Sequence, residues 1–160
     1  MKQTKKMDEI QEKMKPGRIT LHGFLGEDKR NIVDILIEDD ARVKRMNLTH
    51  KKIAKKMIQF KQKGMKGMGD FIKVEPHFEV KVESVRGKLP CPFGDPGIFP
   101  KVNTTVLNKK IDKSLVYTDL NIHMIWVHGF YEGKGSRFRL EPEKLKNVLE
   151  IEEVKENYEI

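Results

Sequence analysis

The chain is poor in three things, and each absence excludes something. It has one cysteine, so no intrachain disulfide can form, and a reducing, cytoplasmic setting is expected. No apolar run approaches the length of a membrane span. The basic start Met1–Lys6 leads into charged rather than apolar residues, so a secretory signal is not expected. Acidic residues are missing altogether between Ala41 and Gly69, a stretch that holds ten Lys/Arg. Adjacent carboxylates occur at Asp39-Asp40 and Glu152-Glu153. Neighbours on a helix point apart, so neither pair reads as an acid–base couple. No Ser-His-Asp order stands out either. Of only seven prolines, four fall between Pro90 and Pro100, beside the lone Cys91.

What remains is enough for a core. At 160 residues, 38% hydrophobic and 35% charged, the chain is long enough for one globular domain. The expected division is a helical arm over 1–16 and a single α+β domain over 17–160. The net charge of +8 lies entirely in the first half: residues 1–70 carry 18 Lys/Arg against 10 Asp/Glu, and residues 71–160 carry 14 of each. Such asymmetry bears on partners rather than on fold.

Periodicity outlines the elements. Residues 3–15 read as a polar helix with a thin seam of Met7, Ile10 and Met14, loosely held and ended by Pro16-Gly17. Arg18–Leu21 alternates like a short strand. Asp28 is the expected N-cap of a helix reaching about Met46. A second helix, from about His50 to Lys63, carries Ile53, Ala54, Met57, Ile58 and Phe60 on one face. The short turn between the two predicts a helical hairpin. From residue 71 the period becomes two. Strands are expected within 71–86 and 102–117, with Gly87–Lys101 as a long connecting loop. Thr118-Asp119 caps a mostly buried helix over 119–128, closed by Gly129, with a buried strand as the competing reading because three of its residues are β-branched. Pro142 opens a short last helix, and the acidic tail from Glu150 is expected to fray. The fold predicted is α+β: an N-terminal helical hairpin on a small antiparallel sheet, with a buried helix and a short C-terminal helix.

Leu89-Pro90-Cys91-Pro92, Asp119–His123 and His128-Gly129-Phe130, together with Gly23–Gly26 and Gly133–Leu140, resemble a group of uncharacterised bacterial proteins of similar length. The resemblance implies a cytosolic bacterial setting and carries no activity with it.

Four features bear on chemistry. Lys51, Lys52, Lys55 and Lys56 make a basic helix face of the kind phosphate backbones reward, which is also how an ordinary solvated helix looks. Leu48–Ala54 has the look of the start of a helix-turn-helix, but the glycines that follow leave no recognition helix. Cys91, framed by prolines, is a candidate nucleophile with His128 or His123 as its base, although a lone cysteine more often packs as a small hydrophobe. His123 and His128, five residues apart, fall roughly 140° apart on a helix, which does not read as a chelating pair. A metal site built by tertiary folding would draw on His77, Cys91, His128 and Glu132. No ligand-spacing motif supports one, so neither metal nor cofactor is expected.

The fourth feature is Gly133–Arg139. Its glycines and its cations Lys134, Arg137 and Arg139 suit an anion, with Tyr131, Glu132 and, from the proline loop, Asp95 as further ligand contacts. The leading expectation is therefore a binding module for an anionic partner, either a phosphorylated or carboxylated small molecule or nucleic acid. The alternatives are a small enzyme using Cys91 and an interaction module using the Pro90–Pro100 loop. The oligomeric state is not set by the sequence. All three readings place the proline loop and the glycine–arginine bend together beside the helix 119–128, outlining a recess.

Overall fold

The computed structural model describes residues 2–154, so most of the acidic tail lies outside the described residues. Five helices pack with a four-stranded antiparallel sheet in the order β1-β2-β3-β4. The strands are β1 (Ile72–Val74), β2 (Phe78–Pro90), β3 (Ile98–Asn108) and β4 (Lys113–Thr118). Alternation sets which face is buried: Phe78, Val80 and Val82 point inward, opposite Asn108, Val106 and Thr104 of β3. Val106 and Thr104 in turn face Leu115 and Tyr117 of β4.

The β2–β3 hairpin runs further than the prolines suggest. After an irregularity between Ser84 and Lys88, pairing resumes as Lys88↔Pro100, Leu89↔Phe99 and Pro90↔Ile98. The connecting loop is thus Cys91–Gly97 rather than Gly87–Lys101. Beyond Asn103 the strand β4 no longer covers β3, so this arm is two-stranded. Proline's missing N–H is tolerated there because one side of each strand has no partner.

Two apolar clusters form the interior, and α4 (Asp119–His128) lies between them. Ile122 and Ile125 join the cluster built by the sheet and α3 (His50–Gly64). Leu120 and Met124 join the second, with Phe24, Leu25, Cys91 and Phe130. A helix that serves two cores is apolar over most of its circumference; Trp126 and Val127 nonetheless remain partly exposed. Gly64 lets α3 lie against the sheet, since a Cβ there would sit 2.4 Å from the Val80 side chain. Tyr117 Oη donates to the Met57 carbonyl at 2.8 Å across the same interface.

α2 (Ile32–Arg45) and α3 share the expected short turn but divide their partners. α3 packs on α4 and the sheet, whereas α2 packs on α1 (Lys5–Lys13) and α5 (Pro142–Leu149). The start of α2 is Ile32, with Asn31 rather than Asp28 at the N-cap position, where its side chain makes no capping hydrogen bond. Asp28 is engaged elsewhere: its carboxylate accepts from Arg30 and from the Lys134 backbone N–H. Gln11 of α1 supplies an acceptor for the Ile32 N–H and a donor for the Arg30 carbonyl. With Ile10 and Met14 buried, the N-terminal helix is docked rather than loosely held. Arg18–Leu21 forms bends instead of a strand, tied by Gly17 N–H to the Thr20 carbonyl and Gly23 N–H to the Thr20 hydroxyl.

Candidate functional site

α4 is fixed at both ends by its own sequence. Thr118 accepts from the Asn121 N–H while the Asn121 side chain accepts from the Thr118 N–H, a reciprocal capping box. Gly129 closes the helix at φ 63°, where a Cβ would lie 2.8 Å from His50 Nε2. His123 and His128 are thereby held on the last two turns. The loop Cys91–Gly97 folds over them, started by a turn in which the Gly94 N–H donates to the Cys91 carbonyl at 3.0 Å.

Four side chains converge there. Asp95 Oδ2 lies 2.8 Å from His123 Nε2 and 2.5 Å from His128 Nε2. Cys91 Sγ lies 3.6 Å from the same Asp95 oxygen and 3.9 Å from His128 Nε2. All four ligand atoms fall within 4.8 Å of one another. Aromatic rings from the loop and arm hold the imidazoles. Phe93 stacks on His128 at 3.9 Å, and Phe99 lies against His123 at 4.4 Å. The two imidazoles stand at 77° to each other, which lets both Nε2 atoms face one point.

The electrostatics follow from this arrangement. Burial pushes the Cys91 thiol above its ordinary pKa, and the Asp95 charge adds to the effect. The bond from His128 holds the Asp95 carboxyl below the usual carboxylate range, with His123 contributing. A nucleophilic thiolate needs the opposite shift. The geometry also differs from a relay, in which the carboxylate binds one imidazole nitrogen and the other serves the nucleophile. Here the same Nε2 of His128 faces both Asp95 and Cys91.

His123 and His128, whose helical spacing does not read as a chelating pair, nonetheless turn both Nε2 atoms toward Asp95. Their Cβ directions diverge along the helix, but the imidazoles reach toward a third group that arrives from outside it. The four residues named for a site built by tertiary folding, His77, Cys91, His128 and Glu132, do not gather in one place. His77 is bonded to Glu150 beside α5, and Glu132 to Asn121 and Ser136, so neither joins Cys91 and His128. Asp95 and His123 take those places. Nothing in the spacing of Asp95 marks it as a partner of residues 28 and 33 positions away.

The recess exists, and both pieces border it. A cavity of about 360 Å³ has Leu89, Phe99 and Pro100 on one side and Glu132, Arg137 and Phe138 on another. The bend is seated by backbone contact. The Gly133 N–H donates to the Phe24 carbonyl and the Glu27 N–H to the Lys134 carbonyl, at 2.9 and 3.0 Å. Gly133 has no room for a side chain, since a Cβ would fall 2.2 Å from the Leu25 carbonyl oxygen. Glu132 is a buried member of the lining, its carboxyl raised to about 7 by burial, an effect moderated by its bonds from Ser136 and Asn121.

The other anticipated anion contacts are dispersed. Arg139 is buried and ion-paired with Asp39 and Glu141. Lys134 lies within 3.7 Å of Glu38. Tyr131 is buried and hydrogen-bonded to His50 Nδ1 at 2.8 Å. Arg137 alone of the three cations borders the recess. Lys51, Lys52, Lys55 and Lys56 border a shallow groove on α3 together with Glu152 and Glu153, which temper the positive potential there. Lys52 Nζ donates to the Glu153 carbonyl at 3.3 Å. No helix among the described residues is long and apolar enough to cross a membrane.

No family model matches the chain, and neither does any curated protein or solved structure.

Proposed function

We propose that the protein binds one divalent transition-metal ion of the zinc type through Cys91, Asp95, His123 and His128. The observation that carries the reading is the convergence of the four ligand atoms within 4.8 Å, both histidines presenting Nε2. A sulfur, two imidazole nitrogens and a carboxylate oxygen make a set that suits tetrahedral zinc. Metal–ligand bonds of about 2.0–2.3 Å require ligand–ligand separations of roughly 3.3–3.8 Å. The two sulfur distances, 3.6 and 3.9 Å, are close to that range. The shorter carboxylate–imidazole contacts are those of hydrogen bonds, which an ion would replace.

Charge supports the same reading. On binding a divalent cation the Cys91 thiol releases its proton, and the two charges of the ion balance the thiolate and the Asp95 carboxylate. Four protein ligands fill the shell. The ion therefore acts as a clip that fastens the loop Cys91–Gly97 onto α4, rather than as an open catalytic centre.

The test is metal titration of the chelator-treated protein by calorimetry, with cobalt as a spectroscopic substitute for zinc. One ion per chain is expected, with thiolate-to-cobalt charge-transfer absorption that C91S abolishes. Absence of stoichiometric binding, or a cobalt spectrum indifferent to C91S, overturns the reading. In that case Cys91 as a nucleophile becomes the better account, and rapid alkylation at neutral pH would mark it.

A further inference from the structure

The recess holds a second, independent set of groups. Its lining includes the buried Glu132, whose Oε2 accepts from Asn121 Nδ2 and whose Oε1 accepts from the Ser136 hydroxyl, both at 2.7 Å. A carboxylate offers about four acceptor sites, so roughly half of its capacity is unused. No cation among the described residues touches these oxygens: Arg139 reaches the Glu132 backbone carbonyl at 2.7 Å and then turns to Asp39. Glu132 also has a positive φ of 71°, a conformation that costs a non-glycine residue energy and tends to persist at sites of function. The fold thus keeps an acid pinned and buried in the lining of a cavity, with no salt bridge to its oxygens and only the through-space influence of Arg139.

The remaining surfaces of the cavity differ in kind. Phe24, Leu89, Phe99 and Leu120 supply apolar wall. Arg137 and Lys101 bring positive charge to the lining. Neither makes a salt bridge among the described residues; Arg137 lies only against the Phe138 ring, at 5.5 Å. At about 360 Å³ the space lies near the small end of the range for ligand sites, roughly 300–1,000 Å³.

We propose that this recess binds a small zwitterion with an apolar body, such as an aromatic or branched α-amino acid, its ammonium group seated on Glu132 and its carboxylate directed to Arg137 and Lys101. An ammonium group donates three hydrogen bonds and fills the acceptor sites that Asn121 and Ser136 leave open. It also supplies the charge that burial otherwise denies the carboxylate, strengthened by the low local dielectric. An anion alone would meet Glu132 unfavourably.

Calorimetry and ligand-observed NMR on the full chain, with and without zinc, test this using L-phenylalanine, L-leucine, 2-phenylethylamine and 3-phenylpropionate. The two amino acids are expected to bind tightest, the amine more weakly, and the acid not at all. E132Q should weaken the amino acids and the amine by about 30-fold, the scale of a lost charge-assisted contact. R137A should weaken the amino acids by about 5- to 10-fold and leave the amine unchanged. Near pH 7 the ammonium group should also displace a fraction of a proton from Glu132, read as a dependence of binding heat on buffer ionisation. The charged or titratable groups facing Glu132 are Arg139 from behind, and Arg137, Lys101 and His22 across the cavity.

Absence of binding by all four probes at millimolar concentration, binding of 3-phenylpropionate as tight as that of the amine, or undiminished binding to E132Q overturns the proposal. Should E132Q fail to fold, the amine-against-acid comparison on the unaltered protein decides the same point. Zinc binding and amino-acid binding are separate readouts, so either can fail alone.

Discussion

His123 and His128 both reach a single oxygen of Asp95 through Nε2, at 2.8 and 2.5 Å. Five positions apart on one helix, they meet because a loop from another part of the chain brings the third group between them. Each imidazole is also backed by a phenylalanine, Phe99 or Phe93, so its ring orientation is set by packing and not by the hydrogen bond alone.

Zinc should raise thermal stability, because the loop and α4 are joined only in the native state. At an ion concentration of about 1,000 times Kd, linkage gives about 4 kcal/mol. For a chain of this size that is a rise in Tm of about 10 °C. Differential scanning fluorimetry should show the shift in the unaltered protein and in H77A, and its loss in H123A and H128A.

Glu132 should make the fold less stable as pH rises. Its carboxyl is raised from 4.5 to about 7, so the native state holds the proton more tightly than the unfolded chain. The stabilisation from its neutral form is full below pH 4.5 and disappears as pH climbs through 7. A shift of that size corresponds to about 3 kcal/mol at most. Urea denaturation of E132Q should show greater stability than the unaltered protein at pH 8, and a difference near zero at pH 4.5. A difference that does not change with pH would contradict this.

Met14→Ala should destabilise the whole domain rather than release the N-terminal helix alone. Met14 is fully buried in the cluster that includes Phe24, Met124 and Phe130. Truncating a buried methionine costs about 2–5 kcal/mol. Chemical denaturation should give a single transition at lower midpoint; an unchanged midpoint would mean that α1 adds nothing to the core.

Gly133→Ala should damage the recess without touching Cys91, Asp95, His123 or His128, the ligands proposed for zinc. The three atoms nearest the added Cβ are all Leu25 backbone, with the carbonyl oxygen at 2.2 Å, so the bend must move away from the Phe24–Gly26 turn. Stability should fall by about 1–3 kcal/mol, a scale typical of overpacking. Binding of L-phenylalanine should weaken, while zinc stoichiometry stays at one ion per chain.

The elements were legible because their causes are local. The alternation of Phe78, Val80 and Val82, the cap at Thr118, the stop at Gly129 and Pro142 at the first turn of α5 act over a few residues, and each appears where the pattern placed it. Boundaries were misread where a distant group intervened. Asp28 looked like a cap, yet Arg30 and Lys134 claim its carboxylate, and Asn31 takes the position instead. The β2–β3 arm passes its prolines because β4 ends early, which no property of Pro90–Pro100 announces.

Composition and periodicity were sufficient for the α+β class, for the burial of α4 and for the suspicion that the proline loop and the Gly133–Arg139 bend share a cavity. They were insufficient to decide which side chains meet. Asp95 lies 28 residues from His123, and Glu132 lies 11 from Asn121; these meetings depend on how the β2–β3 arm crosses α4 and how Gly133 docks on the Leu25 backbone. Local structure arises from interactions between near neighbours, which a linear pattern records. A site arises where separate elements pack, and the side chain left without a partner there is known only once the packing is complete.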